Sequence, residues 1–98
     1  MPEETTQRLH AAVHGRVQGV NFRSYTARKA AELELTGWVR NVHDGTVETV
    51  AEGKRKKLEE FLAFLRTGPP SAIVTRVEAD WQAATSEFDE FYIRSDSW

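Results

Sequence analysis

At 98 residues the chain has room for one hydrophobic core and no second, so its function is expected to sit on a single unit spanning 1–98. Apolar and charged fractions of 40% and 29% are those of a folded globular protein, and a formal net charge of −2 supplies no basic field to draw nucleic acid or an anionic membrane. The absence of cysteine excludes disulfides, thiolate nucleophiles and Cys-type zinc sites, and it suits a reducing cytoplasm.

Met1 to Thr6 is polar, is expected to fray, and has no apolar signal core; nowhere does an apolar run approach the roughly 20 residues that cross a bilayer. Gln7 to His14 alternates, with Leu9, Ala11 and Val13 on one face and His10, Ala12 and His14 on the other, which predicts a first strand. After a loop from Gly15 to Val20, Asn21 is a fair N-cap. Phe22, Thr26, Ala30 and Leu33 then fall at helical spacing, predicting a first helix over Phe22 to Leu33 that Thr36-Gly37 breaks. Trp38 to Val42 reads as a second strand, His43-Asp44-Gly45 as a hairpin turn and Thr46 to Glu52 as a third strand. Lys54 to Arg66 is the clearest helix, because Leu58, Phe61, Leu62 and Leu65 form one apolar stripe, and Gly68-Pro69-Pro70 stops it. In a fourth strand over Ala72 to Trp81, Ile73, Thr75, Val77, Ala79 and Trp81 share one face. A polar connection follows from Gln82 to Asp89, then a short strand from Glu90 to Arg94.

This order predicts an α+β, ferredoxin-like split βαβ sandwich, βαββαβ plus a short final strand, with an antiparallel sheet and two helices on one face. In that topology the first and second strands run parallel with the third between them, so their C-terminal ends meet at one edge. The Gly15 to Val20 loop is thereby brought to Asn41, which shares a face with Val39 and points toward the start of the first helix.

The loop itself has the makings of an oxyanion cradle. Gly15 and Gly19 permit positive φ, so that several N–H groups can converge on one point. The helix adds unpaired N–H groups and the positive end of its dipole, and Arg23 adds a fork that holds two oxygens at once. Spacing alone leaves a plain connecting turn as an equal reading. A site of Arg23, Asn41 and backbone N–H groups contains nothing that exchanges protons near neutral pH. Such a site suits a leaving group that departs without an acid. The carboxylate of an acyl phosphate qualifies, since its conjugate acid has a pKa of about 4, and the work left is to hold the phosphoryl group and place a water.

Val13 through Arg23, reading V-H-G-R-V-Q-G-V-N-F-R, resembles the first signature of the acylphosphatases, and Gly37-Trp38-Val39-Arg40-Asn41 with Gly45, Val47 and Gly53 resembles their second. Gly68-Pro69-Pro70-Ser71-Ala72 and Phe91-Tyr92-Ile93-Arg94 are similar to later features of the family, so the resemblance runs from about Leu9 to Arg94. It implies hydrolysis of carboxyl-phosphate anhydrides to a carboxylate and inorganic phosphate, without metal or cofactor. Arg23 would bind the phosphoryl group, the Arg16 to Val20 backbone would cradle it, and Asn41 would orient the water. Asn21 stands where the family often has glycine, which is expected to tune the loop. The partner implied is a small acyl phosphate, with no nucleic acid and no membrane, acting on a cytoplasmic monomer. Two rival readings are a non-catalytic anion-binding regulatory module on the same fold and a domain serving a larger assembly.

Other features read more simply. His10 and His14 would stand about 13 Å apart on a strand, too far to share a metal. His43 is expected to be a solvated turn residue, and Lys54-Arg55-Lys56-Lys57, followed by Glu59-Glu60, a solvated helix face. Trp38, Trp81 and Phe61 are expected to pack, because Thr46 to Glu52 lacks the aromatics of an RNA-binding sheet.

Overall fold

Leu9, Ala11 and Val13 alternate along β1 (Thr6–Arg16) and are all fully buried, which fixes one face of that strand to the core. Val39 of β2 (Thr36–Asn41) and Val47 and Ala51 of β3 (Val47–Lys54) bury the same face. Against it lie Phe22, Thr26 and Ala30 of α1 (Phe22–Glu32) and the Leu58, Phe61, Leu62 and Leu65 stripe of α2 (Arg55–Thr67). β4 (Ile73–Ala83) and β5 (Phe91–Ile93) complete a five-stranded sheet in the order β4-β1-β3-β2-β5. The computed structural model describes residues 5–95.

β1 pairs antiparallel with both β3 and β4, and β2 antiparallel with β3, so β1 and β2 run parallel on either side of β3. This is the ferredoxin-like arrangement that the element order predicts. β5 adds one difference, since it pairs parallel with β2 and makes the sheet mixed.

Local departures from the expected pattern have backbone causes. In the β1–β4 ladder, His14 faces Arg76 but Gly15 faces Val74, so Thr75 is an extra residue at a bulge. The bulge flips the alternation: Val74, not Ile73, packs on the core with Val77 and Trp81, and Ile73 is exposed. The first helix ends at Glu32, one residue short of the expected Leu33, and the chain turns out of it at Glu34, ahead of Thr36-Gly37. Glu34 is left-handed (φ 60°), and the Leu35 N–H donates back to the Ala30 carbonyl at 2.9 Å. Of the polar start expected to fray, residues 1–4 lie outside the described region, whereas Thr6 opens β1 and the Thr5 carbonyl accepts from the Arg55 N–H at 3.1 Å.

Because β4 and β5 occupy opposite edges, the segment between them must cross the sheet. It does so over the face without helices, tied down by Glu52. That carboxylate accepts from Arg8 Nε (2.7 Å), the Thr85 N–H (2.9 Å) and the Ser86 N–H (2.9 Å), while Phe88 lies under the Arg8 guanidinium. Burial alone would raise the Glu52 carboxyl, but these donors and the Arg8 charge hold it below its ordinary value. A carboxyl depressed in the folded state contributes stability that is complete above its unfolded value of about 4.3 and is lost as pH falls through the folded value. The thermal midpoint is therefore expected to hold down to about pH 5 and fall below it. Glu52→Gln should lose about 1–3 kcal/mol at pH 7, by turning an amide toward Arg8, and should show a shallower acid limb in melts. Equal acid limbs in the two proteins would refute the assignment.

Candidate active site

The stretch between β1 and α1 is anchored at both ends by apolar side chains. Val17 is 1% exposed and Phe22 2%, and Phe22 sits against Phe64 of α2 with ring centroids 6.3 Å apart. Val20 also packs on the core. With these side chains turned inward, Gly19 (φ 74°) and Asn21 (φ 63°, ψ 22°) carry the reversal of the backbone. Gln18 clips the loop to the β2–β3 hairpin: its Nε2 donates to the Val42 carbonyl at 2.7 Å and the Thr46 carbonyl at 2.9 Å. The hairpin is held in turn by Asp44, whose Oδ1 accepts from the N–H and the hydroxyl of Thr46.

Asn21 occupies the N-cap position of α1 but does not cap it. Its left-handed backbone leaves no side-chain cap bond, and the first turn carries no acidic residue. The first N–H groups of α1, which lack intrahelical acceptors, therefore receive no cap from the Asn21 side chain. The same geometry accounts for the departure at Asn21, since asparagine is among the few residues besides glycine that adopt this conformation at modest cost. Asn21→Gly is expected to leave stability within about 0.5 kcal/mol, and Asn21→Ala to lower it by about 1 kcal/mol, as read from urea midpoints. If alanine were as stable as asparagine, the left-handed conformation would not be what selects the residue.

β2 ends on Asn41, which is 7% exposed and shares its face with Val39. It opens into a cavity of about 270 Å3 lined by Val17, Gly19, Asn21, Phe22, Arg23, Ser24, Asn41 and Ile93. Arg23 and Asn41, distant in sequence, thus line one cavity at the uncapped start of α1. Among the described residues no Asp, Glu, His or Lys lines it, so that part of the lining has an arginine as its charged group and no side chain that titrates near neutral pH.

The other residues singled out from the sequence take different places. Gly15 and Arg16 belong to β1, not to the loop, and pair with Val74 and Ile73 across the bulge. Gly15 has φ 126°, and a Cβ there would stand 2.1 Å from the Ile73 carbonyl oxygen, so glycine is required by the close approach of β4. Gln18 and Val20 support the loop and do not line the cavity. Ser24 and Ile93 line it without having been singled out. Ser24 follows from helix phase once Arg23 is placed, whereas Ile93 is delivered by the parallel β2–β5 pairing, for which the sequence carries no local signal.

The two histidines of β1 sit on the helix-free face. His10 Nε2 lies 2.6 Å from a Glu48 oxygen and His14 Nε2 lies 2.7 Å from one of Glu78. Burial pushes the Glu48 carboxyl up, but His10 and Arg40 more than offset this and hold it below its ordinary value. Among the described residues no three His, Cys, Asp or Glu are placed to hold a metal ion. His43 is exposed in the hairpin turn. Arg55 of the basic run lies over the Trp81 ring at 3.6 Å and donates to Gln7. Trp38 is stacked by Arg40 and Arg94, and Phe61 is fully buried. No helix among the described residues is long and apolar enough to cross a membrane.

The acylphosphatase family model matches residues 9–93. An acylphosphatase of Methylococcus capsulatus is 52% identical over 90 residues, covering 92% of this chain and 98% of its own length. Among solved structures, an acylphosphatase from Coxiella burnetii is similar with a TM-score of 0.86 at 38% identity, over 96% of this chain and all of that one. One from Bacillus subtilis gives 0.87 at 34% identity, over 90% and 98%. With a match that runs from the core of β1 to the end of β5 and more than half of the aligned residues shared with one relative, this chain belongs to the acylphosphatase family.

Proposed function

We propose that Arg23 and the backbone of the Gly15 to Val20 region hold the phosphoryl group of the substrate and that Asn41 orients the attacking water. As an acylphosphatase the chain hydrolyses acyl phosphates to a carboxylate and inorganic phosphate. The observation that carries the assignment of roles is that Arg23 and Asn41 line one cavity beside the uncapped N–H groups of α1. A helix start and a guanidinium fork are both suited to phosphoryl oxygens. Gly15 and Gln18 serve this cradle from beneath, one by letting β4 approach, the other by fixing the loop to the hairpin.

Water adds at phosphorus as the bond from phosphorus to the bridging oxygen breaks. The electron pair leaves with the carboxylate, and the water proton passes to phosphate oxygen or solvent. Since the carboxylate departs unprotonated, no general acid is required, in keeping with a lining that, among the described residues, has no carboxyl, imidazole or amine. The amide of Asn41 can both accept from and donate to the water.

The reading includes action without a metal ion, as a single-domain cytoplasmic monomer. The test sets benzoyl phosphate beside an alkyl phosphate, each with and without chelator. Turnover of the acyl phosphate alone, unaffected by the chelator, is the expected result. Loss of turnover with chelator, or comparable hydrolysis of the alkyl ester, would overturn the reading. Elution at twice the monomer mass in gel filtration would overturn its monomeric part.

A further inference from the structure

Among the residues that line the Arg23–Asn41 cavity, Ile93 is chemically out of place. Val17 and Phe22 also line it, but they are 1% and 2% exposed and spend their surface on the core. Gly19 has no side chain, and Asn21, Arg23, Ser24 and Asn41 are polar. Ile93 is 46% exposed, so among the described residues the apolar surface that the lining offers to a ligand is essentially its side chain. Its position is fixed by the backbone. β5 runs parallel to β2 with Ile93 opposite Val39, and the Arg94 N–H donates to the Val39 carbonyl at 2.9 Å. Partners in a parallel pair project to the same side, so Ile93 stands on the helix-covered face with Val39 and Asn41, one strand further out.

An acyl phosphate has two unlike ends, an anionic phosphoryl group and an acyl carbon carrying an organic substituent. The polar lining suits the first. A cavity of about 270 Å3 that opens to solvent is larger than a phosphoryl group and one attacking water, which leaves room at its mouth for part of the acyl group. We infer that Ile93 is the residue that contacts the acyl substituent and that it favours acyl phosphates bearing an aryl or branched alkyl group over those bearing a methyl or amino group. The inference rests on the role of the cavity proposed above. A single apolar contact at an open lip discriminates less than an enclosed pocket, so a preference of about fivefold is expected from this side chain.

The test measures kcat/KM for benzoyl phosphate and acetyl phosphate in the parent protein, Ile93→Ala and Ile93→Thr. Threonine keeps the β-branch that suits a strand while removing the ethyl group, which guards against a variant that merely loosens β5. The benzoyl-to-acetyl ratio, expressed relative to the parent, cancels both the intrinsic lability of the two anhydrides and any loss of folded enzyme. It is expected to fall about fivefold in Ile93→Ala and by a smaller factor in Ile93→Thr, with the inhibition constant of inorganic phosphate unchanged. A ratio that stays constant or rises in Ile93→Ala, or a fall that inorganic phosphate affinity follows, would overturn the inference. Failure of the parent to hydrolyse either substrate would instead strike the proposed function itself, so the two failures are distinguishable.

Discussion

Replacing Asn41 with alanine is expected to lower kcat for an acyl phosphate by about a thousandfold while the inhibition constant of inorganic phosphate moves by less than about threefold. The reasoning lies in what each group is asked to do. Asn41 is proposed to place the water, an arrangement that matters in the transition state and little in the ground state. Arg23 is asked to hold phosphoryl oxygens before, during and after reaction. Arg23→Ala should therefore weaken inhibition by phosphate and cost about a thousandfold or more in kcat/KM. Arg23→Lys should recover little, because an ammonium is a point charge and lacks the planar fork. Full turnover in Asn41→Ala would remove it from the mechanism, and an unchanged phosphate constant in Arg23→Ala would do the same for the arginine.

Gly15→Ala is expected to cost at least about 3 kcal/mol, a large share of the roughly 5–15 kcal/mol that holds a small domain together. Two effects combine at this residue. A φ of 126° disfavours any side chain, and the added Cβ would meet backbone atoms of Ile73 and Thr75, which cannot rotate aside as a side chain could. Relief requires β4 to shift along the bulge and separates Val74 from the core. Gly19 provides the control. It also has positive φ, but open space surrounds its Cβ position, so Gly19→Ala should cost only the conformational strain of about 1–2 kcal/mol. Chemical denaturation of the two variants decides the matter: equal losses would mean that the approach of β4 is not what demands glycine at 15.

The parts of this architecture that were legible in the sequence are those written in side-chain periodicity. The stripe of Leu58, Phe61, Leu62 and Leu65 could belong only to a helix, and the alternation of Leu9, Ala11 and Val13 only to a half-buried strand. From the order of such elements followed the parallel course of β1 and β2, and from that the meeting of Arg23 with Asn41 in one cavity. What was not legible depends on backbone geometry between strands far apart in the chain. The bulge at Thr75 is defined by the register against His14 and Gly15, so Ile73 and Val74 exchanged faces without any local sign. The support given by Gln18 depends on two carbonyls of the β2–β3 hairpin, and carbonyls are identical at every position. Asn21 reads as an N-cap from its side chain alone, whereas its left-handed backbone directs that side chain away from the role.

The strand that carries Ile93 is three residues long and has a neighbour on one side only. Strands of that kind open at lower free energy than the sheet's centre, since few hydrogen bonds and little buried surface must be given up. Its tethers include the Gly37 N–H to the Glu90 carbonyl, the Arg94 N–H to the Val39 carbonyl, the packing of Phe91 on Phe61, and the strap that Glu52 holds. The cavity is thus assembled from two units of unequal local stability. The proposed phosphate cradle is built on β1, β2 and α1 and shares the fate of the whole domain, while the apolar lip belongs to a segment that is expected to open before the rest. Amide protons at Gly37 and Arg94, which bridge β2 and β5, report that detachment through exchange faster than at Val47 or Thr49 in the centre of the sheet.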